Sequence, residues 1–150
     1  MREAITLSLR AVRRGTGGPF GAVVVKGGQI VGRGWNAVTS RNDPTLHAEV
    51  MAIRAACRRL RTFTLVGCEL YASCEPCPMC LAAIHWARIK RVFFANTSAD
   101  AAEIGFDDQR FYMELARPAH RRQVRLRQLM RNEALAAFAA WQGKRDRIKY

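Results

Sequence analysis

What the 150-residue chain has little of already narrows its class. No stretch approaches the apolar length that a membrane-spanning helix needs. Met1-Arg2-Glu3 leads into a charged, helix-like pattern and not into the apolar run of a secretory leader, so the expected compartment is the cytoplasm. Internal repeats and low-complexity runs are absent, which argues against a solenoid or a disordered tract. Disulfide patterning is also missing: the five cysteines are odd in number and crowd between Cys57 and Cys80, which in a reducing compartment points to metal binding or reactive thiols. Lysine occurs only at positions 26, 90, 144 and 149, and Asp plus Glu number 12 against 25 Lys plus Arg. The net charge of +13 raises nucleic acid as a partner, because a basic surface attracts phosphate at long range. The arginines are scattered along the chain, however, a pattern that compositional bias produces as readily as a binding groove. Nucleic acid is therefore not the favoured partner.

What is present suits one domain over residues 1–150, with 49% hydrophobic residues for a core. Ile5, Leu9 and Val12 suggest a short amphipathic helix ending near Gly15. Phe20 to Lys26, Gly27-Gly28 and Gln29 to Trp35 predict a hairpin. After a polar loop from Asn36 to Pro44, Thr45 can cap a helix with Val50, Ile53, Cys57 and Leu60 on its apolar stripe. Cys68 to Ser73 and Arg91 to Ala95 read as strands joined through a helix from Pro78 to Arg88, hence a parallel pair. Gln109 to Arg117 reads as helix, Val124 to Leu129 as an edge strand, Asn132 to Gly143 as a helix, and residues 143–150 as a charged tail. Together these predict a three-layer α/β/α domain with a mixed five-stranded sheet.

Two segments carry chemistry: Thr45-Leu46-His47-Ala48-Glu49 and Ser73-Cys74-Glu75-Pro76-Cys77-Pro78-Met79-Cys80. Cys77 and Cys80 lie three apart at a predicted helix start, so both sulfurs can face one point, and a helix N-terminus favours the thiolates that metals need. With His47 they form a three-ligand set, the catalytic zinc arrangement; a structural site closes with a fourth ligand. Such a site holds a water whose pKa the zinc lowers to about 7. Glu49 beside it can take a proton from the water and deliver protons to the departing amine. Residues two apart on a helix point about 200° from each other, so His47 and Glu49 share a site only at a helix start. Cys57 and Cys68 read as core, Cys74 as a less suitable ligand, and His85 and His120 as structural or surface residues.

H-x-E followed by P-C-x-x-C is the signature of the zinc nucleobase deaminases. Beyond it, nearly the whole chain resembles the small, zinc-dependent bacterial guanine deaminases of the cytidine deaminase-like superfamily. The residues that carry this are Gly18-Pro19-Phe20-Gly21-Ala22-Val23, Trp35-Asn36-Ala37-Val38, Asn42-Asp43-Pro44, His85-Trp86-Ala87-Arg88, Phe106-Asp107-Asp108 and Lys149-Tyr150. The resemblance implies hydrolysis of guanine at C2 with one catalytic zinc ion per subunit. It also implies a homodimer whose C-terminal segments swap over each other's sites. Asp108 matches a second proton carrier, and Asn36 a residue that hydrogen-bonds the purine. Phe20, Ala48 and Trp86 match positions around the base, with Phe20 and Trp86 readable also as plain core. Tyr150 matches a lid. The Arg-rich run Arg121 to Arg131 departs from the family pattern. The rivals are a tRNA-specific adenosine deaminase acting on a flipped adenine, a cytosine or cytidine deaminase, and a non-catalytic zinc-stabilised RNA-binding domain, against which Glu49 speaks.

Overall fold

Gly27 and Gly28, both at positive φ (54° and 77°), close the expected two-residue turn between antiparallel strands β1 (Gly21–Lys26) and β2 (Gln29–Trp35). The structure, a computed structural model, describes residues 1–149. Strand β3 (Cys68–Cys74) runs antiparallel to β1 and parallel to β4 (Arg91–Asn96), the crossover between them being helix α4 (Pro78–Trp86). The sheet order is β2-β1-β3-β4.

Two other helices sandwich this sheet, and glycines on the strands set how closely. Helix α1 (Arg2–Arg13) lies over the face that carries Gly21, where an added Cβ would come 2.2 Å from the Ala4 carbonyl oxygen. The buried residues of α1 are accordingly the small or slim Ala4, Leu7, Ser8 and Ala11. The expected stripe of Ile5, Leu9 and Val12 is exposed instead (40–53%). On the opposite face, helix α3 (Ala48–Leu60) presses on Gly32 and Gly34, where a Cβ at position 34 would sit 2.0 Å from the Ala48 carbonyl oxygen. The fully buried stripe of α3 is Ala48, Glu49, Ala52 and Ala56, one residue off the expected one, with Ile53, Cys57 and Leu60 packed at its border. In both places close backbone approach replaces the interdigitation of large side chains. Leu70, Ala72, Val24, Ala22 and Ile84 complete the core on the α3 side. The three-layer expectation holds for this part of the chain.

The polar loop after β2 contains one helical turn, α2 (Val38–Arg41), and a short helix α5 (Ser98–Glu103) follows β4; neither was foreseen. The sheet has four strands and not five. Residues 124–129 take no regular structure. Their alternation of Val124 and Leu126 with Arg125 and Arg127 has the pattern of an edge strand, but a strand exists only where its backbone is paired, and no such pairing occurs among the described residues.

By its internal contacts the chain divides into two compact units, Met1–Arg110 and Phe111–Tyr150. The second holds most of helix α6 (Gln109–Ala116), a 3₁₀ turn at Ala119–Arg121 and helix α7 (Arg131–Gly143), and leaves Leu135, Phe138 and Trp141 of α7 exposed. No helix among the described residues is long and apolar enough to cross a membrane.

Candidate metal centre and active site

The chemistry sits at the starts of two neighbouring helices. His47 is the N-cap of α3 and keeps an extended backbone (φ −73°, ψ 155°), so its ring projects back past the helix end. Glu49 follows in the first turn. Thr45, the expected cap, is engaged elsewhere: its N–H and hydroxyl both donate to Asp43 Oδ1, at 2.8 and 2.6 Å. Cys77 is the N-cap of α4, Pro78 fills the first helical position where a missing N–H costs nothing, and Cys80 ends the first turn. The positive ends of both helices therefore converge on the two thiols.

His47, Cys77 and Cys80 bring one donor atom each within 4.8 Å of one another, and no fourth His, Cys, Asp or Glu joins them among the described residues. Tetrahedral Zn–S and Zn–N bonds of usual length put a sulfur and a nitrogen about 3.6 Å apart. Both sulfurs lie 3.6 Å from His47 Nδ1, so the donor set fits a zinc ion. The thiol pair shares its proton unevenly. The hydrogen bond from Cys80 pulls Cys77 down to about 4, and donating that bond holds Cys80 well up. His47 is raised, first by its hydrogen bond with Cys77. Cys74 points away: its thiol donates to the Thr97 carbonyl oxygen at 3.5 Å, and burial pushes it up to about 11, unlike a ligand.

Glu49 is buried, and its Oε2 accepts from Cys80 Sγ at 3.4 Å. Burial pushes its carboxyl up to about 7. Because the folded value lies above the ordinary 4.5, the folded state keeps this proton longer than the unfolded chain. Glu49 by itself therefore makes the metal-free protein less stable as pH rises from about 4.5 to 7, on the order of 3 kcal/mol. Chelator-treated Glu49→Gln should thus melt higher than chelator-treated wild type at pH 8, the gap narrowing toward pH 5. A gap that does not change with pH would remove the buried ionisation.

A cavity of about 190 Å³ opens beside these groups, lined in part by Phe20, Asn36, His47, Glu49, Cys77 and Asp108. Asn36 is buried, and its Oδ1 accepts from the N–H groups of Gly18 and Val38, both at 3.2 Å. Only an oxygen can accept from both, so its NH₂ is the group left for other partners. Phe20 meets Phe106 edge to face, centroids 4.9 Å apart. Asp108 is raised, first by burial and then by the Cys77 charge. Ala48 belongs to the core cluster and not to the lining. Trp86 ends α4, at the opposite end of the helix from Cys77 and roughly 13 Å along it, is 61% exposed, and does not line this cavity. Tyr150 lies outside the described residues. Glu75, Phe106, Val38 and Thr39 also line the cavity and had no assigned role in the sequence reading.

A His/Cys/Cys donor set beside a buried carboxylate, on helix starts over an α/β sheet, defines a zinc-dependent hydrolase of the deaminase class. Residues 1–96 match the family described as the cytidine and deoxycytidylate deaminase zinc-binding region, and the chain belongs to that family. It is 51% identical over all 150 residues to the guanine deaminase of Bacillus subtilis, covering 96% of that protein. The crystal structure of that enzyme matches with a TM-score of 0.95 over 99% of this chain and 95% of that one. The tRNA-specific adenosine deaminase of Aquifex aeolicus is 45% identical over 95 residues, 63% of this chain and 62% of that protein. A solved guanine deaminase from Nitrosomonas europaea is 33% identical, with a TM-score of 0.66 over 70% of this chain and 61% of that one.

Proposed function

We propose that this protein is a guanine deaminase that hydrolyses C2 of guanine, giving xanthine and ammonia in purine breakdown. The observation that carries the reading is that Asp108 lines the same cavity as Glu49, while the third carboxylate there, Glu75, is engaged by Ser98 N–H. Guanine presents N1–H and its 2-amino group side by side as donors, which suits an acceptor such as Asp108. Adenine presents an acceptor at N1 beside its amine, and a carboxylate facing that edge would be repelled. The NH₂ of Asn36 complements the ring's acceptor edge, O6 and N7, and Phe20 walls the cavity. The full-length likeness to the Bacillus enzyme points the same way.

A bound zinc ion would supply Lewis-acid activation of the attacking water. Glu49 takes one proton from that water and delivers it to N3, then carries the remaining hydroxyl proton to the amine as the C2–N bond breaks, while Asp108 holds the N1–H edge and serves as second proton carrier. The net change adds water across the C2–N bond and releases ammonia. Asp108→Asn should lower kcat/KM for guanine by about 10²-fold, with zinc content unchanged. Unaltered kinetics would remove Asp108 from the site.

The proposed assembly is a homodimer in which the C-terminal segment, ending at Tyr150, closes the partner's site. The apolar surface supports it: Phe93 and Phe94 on edge strand β4 are 43% and 46% exposed, and Val124, Leu126, Leu129 and Phe138 about 70%. Exposure on this scale in one chain suits association. Two thiolate ligands suit a reducing compartment, and the cytoplasm is the proposed one.

The function is tested by offering the zinc-loaded protein guanine, ammeline, cytosine, adenine and a tRNA anticodon loop, and measuring ammonia. Release from guanine is expected. Release from the tRNA loop but not from guanine would make the chain a tRNA adenosine deaminase, and release from none, with zinc bound, a binding module.

A further inference from the structure

We infer that Glu75 is a positioning residue that clamps the segment carrying Asp108 to the metal loop, through the hydrogen bond its side chain accepts from Ser98 N–H. The two turns involved leave adjacent parallel strands at the same level, since Cys74 of β3 pairs with Asn96 of β4. Beyond the sheet they stay joined by three bonds. Glu75 N–H donates to the Asn96 carbonyl oxygen at 2.9 Å, Cys74 Sγ to the Thr97 carbonyl oxygen at 3.5 Å, and Ser98 N–H to Glu75 Oε2 at 3.0 Å. Only the last involves a charged acceptor, which makes it the strongest kind of the three.

From this clamp the chain runs as one strap to the cavity. Thr97 and Asp100 form a reciprocal capping box that starts α5, and Ala101 is the buried residue of that helix. The chain leaves α5 through Gly105 (φ +93°), with Phe106 N–H donating to the Ala101 carbonyl oxygen at 2.9 Å. Phe106 then meets Phe20 edge to face, and Asp108 reaches the cavity two residues on. The strap has little else to hold it, because Ala102, Glu103, Ile104 and Gly105 are exposed. A strap so lightly packed opens locally at small cost, so losing the strongest of its anchors lowers how much of the time Asp108 is in place. Glu75 follows Cys74 and precedes the Pro76-Cys77 turn, so the same loop that presents a metal ligand also fixes where the second carboxylate sits.

The inference rests on the deaminase reading, and its test keeps the two apart by including a readout that needs no substrate. Glu75→Ala removes the acceptor. Ser98→Pro removes the donor from the other side, at a first helical position that tolerates proline, after a Thr97 whose extended backbone (φ −88°, ψ 168°) suits a residue before proline. Each variant should keep its zinc and lose about tenfold to a hundredfold in kcat/KM for guanine, the scale of one charged hydrogen bond. The double variant should be no worse than either alone, and neither change should add to Asp108→Asn. Glu75→Gln, which keeps a carbonyl acceptor, should restore most of the activity. Hydrogen exchange over residues 97–108 should speed up in Glu75→Ala and Ser98→Pro and stay slow in Glu75→Gln. Wild-type exchange in Ser98→Pro, effects that multiply with Asp108→Asn, or a Gln variant as impaired as the Ala one would each overturn the role. Absence of guanine turnover in wild type defeats only the substrate assignment, since the exchange comparison still decides the clamp.

Discussion

Glu49→Gln is expected to lower turnover by about 10²–10⁴-fold while the protein keeps its zinc. The side chain is nearly the same size, so the buried position against Cys80 Sγ, 3.4 Å away, can be filled without a cavity. What disappears is the ability to hold and release a proton. Burial raises the carboxyl to about 7 in the metal-free protein, and its place beside the ligands lets it take a proton from water and give it up within one cycle. The other carboxylates of the cavity are held elsewhere: Asp108 comes from a segment that follows α5 and Glu75 accepts from Ser98 N–H, whereas Glu49 sits in the first turn of α3, beside the ligands. Metal analysis and single-turnover kinetics on the same preparation check the prediction. A folded Gln variant that has lost its zinc would mean that Glu49 is a ligand and that the proton carrier lies elsewhere.

The legible part of this site is the part written in local spacing. Cys77 and Cys80 fall in one helical turn, and His47 and Glu49 converge because the helix starts between them; both follow from the geometry of a helix start. Asn36 and Asp108 enter the same cavity from loops far apart in sequence, and only family resemblance pointed to them. Glu75 escaped because its partner, Ser98, is brought near by the parallel register of β3 and β4, which no local pattern encodes. The misread stripes on α1 and α3 have a common cause. Periodicity weights large apolar residues, but glycines at 21, 32 and 34 let the helix backbones approach the sheet and reward alanine and serine instead. The missing fifth strand is the complementary case: Val124 to Arg127 alternates as an edge strand would, yet alternation cannot supply a neighbour to pair with.

Removing one metal ligand should have the largest effect of all, and it separates the assigned ligands from the nearby thiol. Cys80→Ala leaves His47 and Cys77 with one donor fewer than catalytic zinc sites use. Turnover should fall to background and zinc should be lost on dialysis. Zinc that binds only the folded state stabilises it by about 4 kcal/mol at a free concentration 1,000 times its Kd. Wild type should therefore melt several degrees higher with zinc than with chelator, and Cys80→Ala should melt at one temperature in both. Cys74→Ala is the matched control: its sulfur donates to the Thr97 carbonyl oxygen and stands outside the ligand cluster, so this variant should keep both the metal and the zinc-dependent shift. The opposite pair of results, zinc retained by Cys80→Ala and lost by Cys74→Ala, would move the third ligand from the first turn of α4 to the end of β3. It would also leave the 3.6 Å separations around His47 Nδ1 without a chemical reason.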